Sequence, residues 1–347
     1  MADVAAAAGV SEATVSRALS GRGDLPAETR VRVQQVANHL GYVRGASQRG
    51  RPVTTDPRLI ELVLGTFDDG WANEVTAGAR EGAARLGYDL VLTAERDDPE
   101  DDWPMRVAVR RSAGVVLGLI RPTPSQLNRL RGLNIPLVLL DPASDPHGEL
   151  ESIGTTDWQG GYDVGVHLAG LGLRRFVLVV GEPRLRFGRA REEGFRDAIQ
   201  KLVPGASLSV ARGDWQDGDL TRQLAPLLKG AMPVGVFAGN DAMAVGVYRA
   251  AQHLGLVIPD DLSVAGFDDV TRAAALRPPL TTVRQPIREM AIRAVEMIQQ
   301  RRDGIPPAME RVEIPSRLIV RASTARRPDS WRGEPGGRRH FCARNLT

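Results

Sequence analysis

Short hydroxyl side chains near the N-terminus are the first residues with an evident chemical use. Ser11, Thr14 and Ser16 lie close together in the sequence, and hydroxyls of this size hydrogen-bond well to phosphate oxygens. Ser11 also stands where it can cap the N-terminus of a helix, and Gly9 just before it suits a tight turn. The spacing therefore predicts a short helix whose first turn carries phosphate-binding groups.

These hydroxyls belong to a predicted head of three short helices over residues 3–42. The first helix is Ala-rich and ends at Gly9, the second runs from Ser11 to about residue 20, and Pro26 occupies the first turn of the third. The third carries apolar residues at helical spacing, namely Val33, Val36, Ala37 and Leu40. Residues 43–57 are rich in Gly, Thr, Pro and Arg, which predicts a linker.

A different pattern begins at residue 59. Apolar runs such as residues 59–64 and 175–180 alternate with helical stretches, among them residues 217–228 and 241–254. Strands that are apolar throughout and separated by helices are typical of parallel sheets covered on both faces. The runs fall into two series, which predicts an α/β body of two doubly wound parallel-sheet subdomains. Because ligands of such folds bind beyond the carboxyl ends of the strands, we expect a small molecule in a cleft between the two.

Composition narrows the class of protein. The chain has 347 residues, of which 42% are hydrophobic, and no apolar run reaches the length of a membrane span. Its Ala-rich N-terminus lacks the basic start of a signal peptide, so we expect a cytoplasmic protein. The single cysteine, Cys342, and five scattered histidines predict no metal site. Without a dinucleotide-binding, nucleophile-elbow or P-loop motif, we expect neither an enzyme nor a cofactor.

Positive charge is concentrated at the two ends of the chain. Residues 1–52 hold seven Arg against four acids, and residues 323–347 hold six Arg against two. A basic end on a long chain suits DNA binding. The last residues are rich in Arg, Gly and Pro without periodicity, which predicts a disordered tail. The alternative is that this tail makes an extra nonspecific DNA contact.

The motifs resemble one known family along almost the whole chain. Residues 3–19, which read DVAAAAGVSEATVSRAL, resemble the helix-turn-helix head of the LacI/GalR family of bacterial transcriptional regulators. The body resembles the same family, most clearly in residues 191–195, 240–246, 259–269 and 278–286. The resemblance implies a periplasmic-binding-protein-like body, a homodimer, and a repressor whose affinity for a pseudo-palindromic operator is switched by a sugar or sugar derivative.

The predicted domains follow from these patterns. They are the helix-turn-helix head at 1–44, the hinge or linker at 45–57, the effector-binding body at 58–323 and a disordered basic tail at 324–347. Within the body, one subdomain is predicted over about 58–157 and 285–311, and the other over about 158–284 and 312–323.

The resemblance assigns the DNA contacts of the head. Glu12, Ala13 and Arg17 are the residues that face the bases. Arg17 suits a bidentate contact to guanine, Ala13 suits a thymine methyl group, and Glu12 either accepts from a cytosine amine or faces water. The full predicted set is Ser11, Glu12, Ala13, Thr14, Ser16, Arg17, Thr29, Arg49 and Arg51.

The resemblance also assigns an effector site. A sugar presents many hydroxyls and a flat apolar ring face, which polar side chains and an aromatic ring can match. The predicted set is Asp69, Trp71, Asp157, Arg191, Trp215, Asn240, Asp268 and Gln285. Two alternatives stay open: Arg191 and Asp268 form a structural ion pair, and Trp215 and Asn240 serve core packing or helix capping.

Three departures from the family qualify the resemblance. Few residues precede Asp3, so we expect either a less stable first helix or a start further upstream. The hinge has no apolar residue at position 51, where relatives place a leucine that wedges into the minor groove. We therefore predict weaker DNA bending, with Arg49 and Arg51 on phosphates. Residues 69–72 also differ, so the effector's identity cannot be transferred.

Two rival classes remain. A solute-binding component of an uptake system shares the body fold, but it needs a signal peptide and has no DNA-binding head. A DNA-binding regulator that has lost or changed its effector is the stronger alternative.

Overall fold

The computed structural model describes residues 1–20, 25–40, 42, 57–96, 102–120, 122–144, 150–181, 183–230, 232–307 and 309–326. Internal contacts divide the chain into two compact units. The first comprises Met1–Gly154 with Ile287–Glu313, and the second Thr155–Pro286 with Ile314–Thr347. The chain therefore crosses between units after residues 154, 286 and 313. The crossings predicted from the sequence are after residues 157, 284 and 311.

The head consists of helices α1 (Ala2–Ala8), α2 (Glu12–Ser20) and α3 (Ala27–His39). Gly9 ends α1 at a φ of 63°, a left-handed conformation that glycine adopts without a Cβ clash. The three helices share a small apolar core formed by Val4, Ala5, Ala8, Val15, Ala18, Val33 and Ala37. Two details of the predicted third helix are wrong. Pro26 lies just before it, and Leu40 is exposed because the helix has already ended at His39.

The body of the first unit is a six-stranded sheet with helices. Its strands are β1 (Leu59–Leu64), β2 (Asp89–Ala94), β3 (Gly114–Gly118), β4 (Leu137–Leu140), β5 (Glu151–Thr155) and β11 (Arg311–Ile314), in the order β11-β5-β4-β3-β1-β2. Its helices are α4 (Gly70–Arg85), α5 (Trp103–Arg110), α6 (Pro124–Gly132) and α12 (Ile287–Arg302). Strands β1 to β5 pair in parallel, as apolar runs joined by helices predict.

The second unit repeats this plan. Its strands are β6 (Arg175–Val180), β7 (Ser207–Arg212), β8 (Val234–Ala238), β9 (Leu262–Asp268), β10 (Thr281–Arg284) and β12 (Arg317–Ile319), in the order β12-β10-β9-β8-β6-β7. Its helices are α7 (Asp157–Gly170), α8 (Arg186–Leu202), α9 (Thr221–Leu224), α10 (Asp241–His253) and α11 (Thr271–Ala275). Strands β6, β8, β9 and β10 are parallel neighbours, so their carboxyl ends meet at one edge.

Two sequence-based predictions need correction. The helix expected over residues 217–228 is shorter in the structure, where only α9 (Thr221–Leu224) is helical. The side chain of Asp219 accepts from the Thr221 amide and starts the helix there, and Pro226 has no amide hydrogen to continue it. The predicted start of the tail at residue 324 is too early in the chain. Thr324 still hydrogen-bonds to His167, and Ala325 to Ser263.

The remainder of the predicted tail, residues 327–347, lies outside the described residues, as does most of the predicted linker. Within the described ranges, no helix is both long enough and apolar enough to cross a membrane.

Candidate functional site

The N-terminal end of α2 carries the first group of predicted site residues. Ser11 stands immediately before the helix, and its Oγ accepts from the Thr14 amide at 3.2 Å. The hydroxyls of Ser11 and Thr14 also hydrogen-bond to each other at 2.9 Å. Ser11 is therefore an N-cap, as its position in the sequence predicts.

The outer face of α2 presents the residues assigned to base contacts. Ser11, Glu12, Ala13 and Arg17 are exposed, whereas Thr14, Ser16 and Thr29 are half-buried. The Nε of Arg17 donates to the carbonyl oxygen of Ala13 at 3.3 Å. The opposite face of α2 is buried through Val15 and Ala18, so the helix presents one polar face outward. Arg49 and Arg51 lie outside the described residues.

In the second unit, Arg191 of α8 is the centre of a buried ionic cluster. Its side chain is 2% exposed. Its Nε donates to Oδ1 of Asp157 at 2.9 Å, and its Nη1 lies 3.4 Å from Oδ1 of Asp268. The same Nη1 donates to the carbonyl oxygen of Gly239 at 2.8 Å. The amide of Gln285 donates to Oδ1 of Asp268.

The parallel sheet assembles this cluster from distant parts of the chain. Asp268 ends β9, Gly239 follows β8, and Gln285 follows β10. The three strands are neighbours, so their carboxyl ends bring these residues together at one edge. This edge is where ligands bind in open α/β sheets.

Two phenylalanines that the sequence analysis did not name complete the surroundings of Arg191. Its guanidinium carbon lies 3.8 Å from the ring centroid of Phe267 and 4.9 Å from that of Phe187. A guanidinium is attracted to the face of an aromatic ring. The available signal for Phe267 was its position directly before the strand-ending Asp268.

Trp215 and Asn240 form a second pair beside the cluster. The Nδ2 of Asn240 donates to the carbonyl oxygen of Trp215 at 2.9 Å, and its Oδ1 accepts from the Met243 amide at 2.8 Å. Asn240 therefore caps α10 and holds the Trp215 backbone, which supports the capping alternative. Trp215 is half-buried at a φ of 68°, a conformation that a bulky residue seldom adopts.

The indole of Trp215 lies against backbone that only glycine can provide. A Cβ at Gly181 would come within 1.9 Å of its Nε1, and a Cβ at Gly188 within 2.5 Å of its Cζ2. The ring also meets Phe187 edge to face, with centroids 4.8 Å apart. The position of the indole is thus set by close packing.

Asp69 and Trp71 belong to the first unit. The side chain of Asp69 accepts from the Ala72 amide at 2.7 Å and caps α4. Trp71 is buried in α4, and its ring lies beside Gly118, where a Cβ would come within 3.3 Å of its Cη2. Both positions have a structural explanation within the first unit.

Asp241 is a fully buried carboxylate close to the cluster. Its Oδ1 accepts from the Thr282 hydroxyl at 2.6 Å and its Oδ2 from the Val270 amide at 3.0 Å. Burial, and next the carboxylate of Asp268, raise the pKa of Asp241 well above its usual range. No group of three His, Cys, Asp or Glu side chains is placed to hold a metal ion in the part of the chain that the structure describes.

We expect the stability of Asp241→Asn to decrease less with rising pH than the stability of the wild type does. A raised folded-state pKa contributes stability that is fully present below the unfolded value of about 3.9 and is lost as the pH rises through the folded value. An amide does not titrate. In urea unfolding at several pH values, the free energy of unfolding of the variant relative to the wild type should therefore increase as the pH rises. Asp197→Asn on the outside of α8 is the control. Parallel pH profiles for Asp241→Asn and the wild type would contradict the prediction.

Comparison with known proteins agrees with this architecture. Residues 1–45 match the bacterial regulatory proteins of the lacI family, and residues 166–324 match a periplasmic binding protein-like domain. The chain is 34% identical to the HTH-type transcriptional regulator reg1 of Streptomyces lividans, over 96% of this chain and 99% of the relative.

Two solved structures are similar over most of their length. One is a LacI family transcriptional regulator from Enterococcus faecium with bound ribose, with 26% identity, a TM-score of 0.71, and coverage of 78% of this chain and 100% of that one. The other is the lac repressor dimer bound to operator and the anti-inducer ONPF, with 25% identity, a TM-score of 0.67, and coverage of 93% and 98%.

A helix-turn-helix head followed by two doubly wound sheets, one with a polar cluster at its strand ends, defines the class of DNA-binding regulators with a ligand-sensing body. The chain belongs to the lacI family of bacterial regulatory proteins. The resemblance and the fold class inferred from the sequence are thereby confirmed.

Proposed function

We propose that the protein is a repressor that binds a pseudo-palindromic operator as a homodimer, with one α2 helix in the major groove of each half-site. The observation that carries this proposal is the exposed face of α2, where Glu12, Ala13 and Arg17 project from a helix whose other face is buried. Helices of this motif read base edges with their N-terminal residues. The lac repressor, which the chain resembles, is a dimer bound to operator. The protein acts in the cytoplasm on DNA and carries out no catalysis.

In this proposal, contacts to the phosphate backbone of the DNA position the head and carry no sequence information. They fall to the hydroxyls of Ser11, Thr14, Ser16 and Thr29 and to Arg49 and Arg51. The cap geometry leaves the hydroxyls of Ser11 and Thr14 at the positive end of the α2 dipole, which favours a phosphate oxygen there.

The proposed effector is a sugar or sugar derivative that binds at the strand-end edge of the second unit. Arg191, Asp157 and Asp268 supply charged hydrogen-bonding groups there, and the Enterococcus faecium regulator holds ribose. Oε1 of Gln285 and Nε1 of Trp215 are buried without a hydrogen-bond partner among the described residues. Buried polar atoms are rarely left so, and a sugar hydroxyl would satisfy them. Asp69 and Trp71 are proposed as further effector-binding residues.

Binding at the two sites is coupled in this scheme. An effector that prefers one conformation of the body changes operator affinity by a coupling free energy of typically about 1–3 kcal/mol, and operator changes effector affinity by the same amount.

The decisive experiment separates the two sites by mutation. Arg17→Ala should lose about 1–3 kcal/mol of specific operator affinity in gel shifts and keep the tryptophan fluorescence response to effector. Asp268→Ala should bind operator and lose that response. Arg80→Ala, which removes the same charge from the exposed surface of α4, is the control for Arg17. Loss of operator binding in both variants, or in neither, would refute the division.

A regulator without a sugar effector is the second candidate. The observation in its favour is that Arg191 donates to two carboxylates and a backbone carbonyl of the protein, as a structural ion pair does. Titration of ribose and other simple sugars against tryptophan fluorescence distinguishes the two, because Trp215 adjoins the cluster. A silent titration with every sugar would favour this second candidate.

A further inference from the structure

The outer face of α7 carries an apolar stripe that stays partly exposed among the described residues. Trp158, Tyr162 and Val166 lie four residues apart and therefore share one face of the helix. The rings of Trp158 and Tyr162 stack with centroids 5.1 Å apart and planes at 19°. Trp158 is 40% exposed and Val166 is 41% exposed. Large apolar side chains grouped on a surface commonly mark a contact with another segment or protein.

The two flanks of α7 differ. On one flank the helix packs closely on α8, since a Cβ at Gly161 would lie 2.2 Å from the carbonyl oxygen of Arg191. On the other flank Nε2 of His167 lies 2.9 Å from the hydroxyl of Thr324. Residue 324 stands two residues before the end of the described chain. The C-terminal segment therefore leaves the fold beside the last turns of α7.

The length of the remaining segment is sufficient to reach the stripe. Residues 327–347 follow, and Trp331 stands five residues after Arg326, a reach of about 17 Å for an extended chain. The stripe from Val166 back to Trp158 spans about 12 Å of helix. Trp331 can therefore reach the stacked rings.

The charge and aromatic content of the C-terminal segment also favour its binding to the stripe. Residues 327–347 contain five Arg against two acids, together with Trp331 and Phe341. Gly194 of α8 lies against the backbone of Trp158 and Tyr162, and α8 exposes Glu193 next to it and Asp197 one turn further on. A guanidinium stacks favourably on the face of an exposed Trp or Tyr. The segment thus offers both a cation and an apolar ring to this face.

We propose that residues 327–347 dock in cis on the outer face of α7, with Trp331 and neighbouring arginines against Trp158 and Tyr162. The C-terminal segment is then a cover for an apolar surface of its own second unit. This assignment does not depend on operator or effector binding.

Hydroxyl-radical footprinting read by mass spectrometry tests the docking. The full chain is compared with a chain that ends at Arg326, which keeps every described residue. Oxidation of Trp158 and Tyr162 should rise several-fold on truncation, whereas that of the fully buried Trp103 should not change. Trp331→Ala in the full chain, which alters no described residue, should also raise oxidation of Trp158.

Three outcomes would overturn the proposal. Equal oxidation of Trp158 in the full and truncated chains would show that the segment does not cover the stripe. Protection that disappears when the full chain is diluted would assign the stripe to a second copy. Protection that appears only when DNA is added would assign the segment to DNA.

Discussion

Replacing Arg191 by Ala lowers the free energy of unfolding by about 3–5 kcal/mol, because removing one partner leaves buried charges uncompensated. The side chains of Asp157 and Asp268 are 1% and 10% exposed, so both carboxylates depend on the guanidinium for compensation of their charge. The same change removes a residue proposed to bind the effector, so the fluorescence response to sugar should disappear. Urea unfolding followed by circular dichroism, with the sugar titration under folding conditions, measures both effects.

Arg196→Ala is the matched control for Arg191→Ala. Arg196 lies on the same helix and pairs with Glu192 at 2.8 Å, but its side chain is 42% exposed. Exposed pairs contribute typically about 0–1 kcal/mol, so this variant should be nearly as stable as the wild type. Equal losses in the two variants would show that burial of the Arg191 cluster has no energetic consequence.

Replacing Gly161 by Ala should destabilise the protein by about 1–3 kcal/mol or more, which is the usual cost of overpacking. The added Cβ would lie 2.2 Å from the carbonyl oxygen of Arg191. Backbone cannot rotate away as a side chain can, so α7 and α8 must separate. Because this shift moves the backbone that carries Arg191, the effector response should weaken together with stability. Thermal unfolding and the sugar titration are the two measurements.

Gly170→Ala separates packing from the general effect of alanine on a helix. Gly170 is the last residue of the same helix, and a Cβ there would meet nothing within 4 Å. Alanine favours helix over glycine by up to about 1 kcal/mol, so this variant should be neutral or stabilised. If Gly161→Ala behaved in the same way, the close approach of the two helices would not be a constraint.

The strands that the sequence reveals most clearly are the central ones. All residues of β8 and β9 are buried, and strands covered on both faces must be apolar along their length. Strands β10, β11 and β12 are short, and β10 begins with two threonines. They exist because a neighbouring strand supplies hydrogen-bond partners, which no local pattern reports.

The candidate site shows the same division. The resemblance pointed to Arg191, Asp268 and Gln285, and the structure brings all three together. It also gives Asn240 two hydrogen bonds within the protein. Phe187 was missed because its contact with Arg191 depends on the geometry of α8.

The sequence alone determined the parts of this protein whose signals are local. The head follows from a helix cap at Ser11, a glycine turn and helical spacing of small apolar residues, all within about forty residues. Only the tertiary structure decided what the charged residues of the body do. The interaction of Asp157, Arg191 and Asp268 depends on distance and burial, and residues so far apart in the chain acquire both only when the sheet aligns its strand ends.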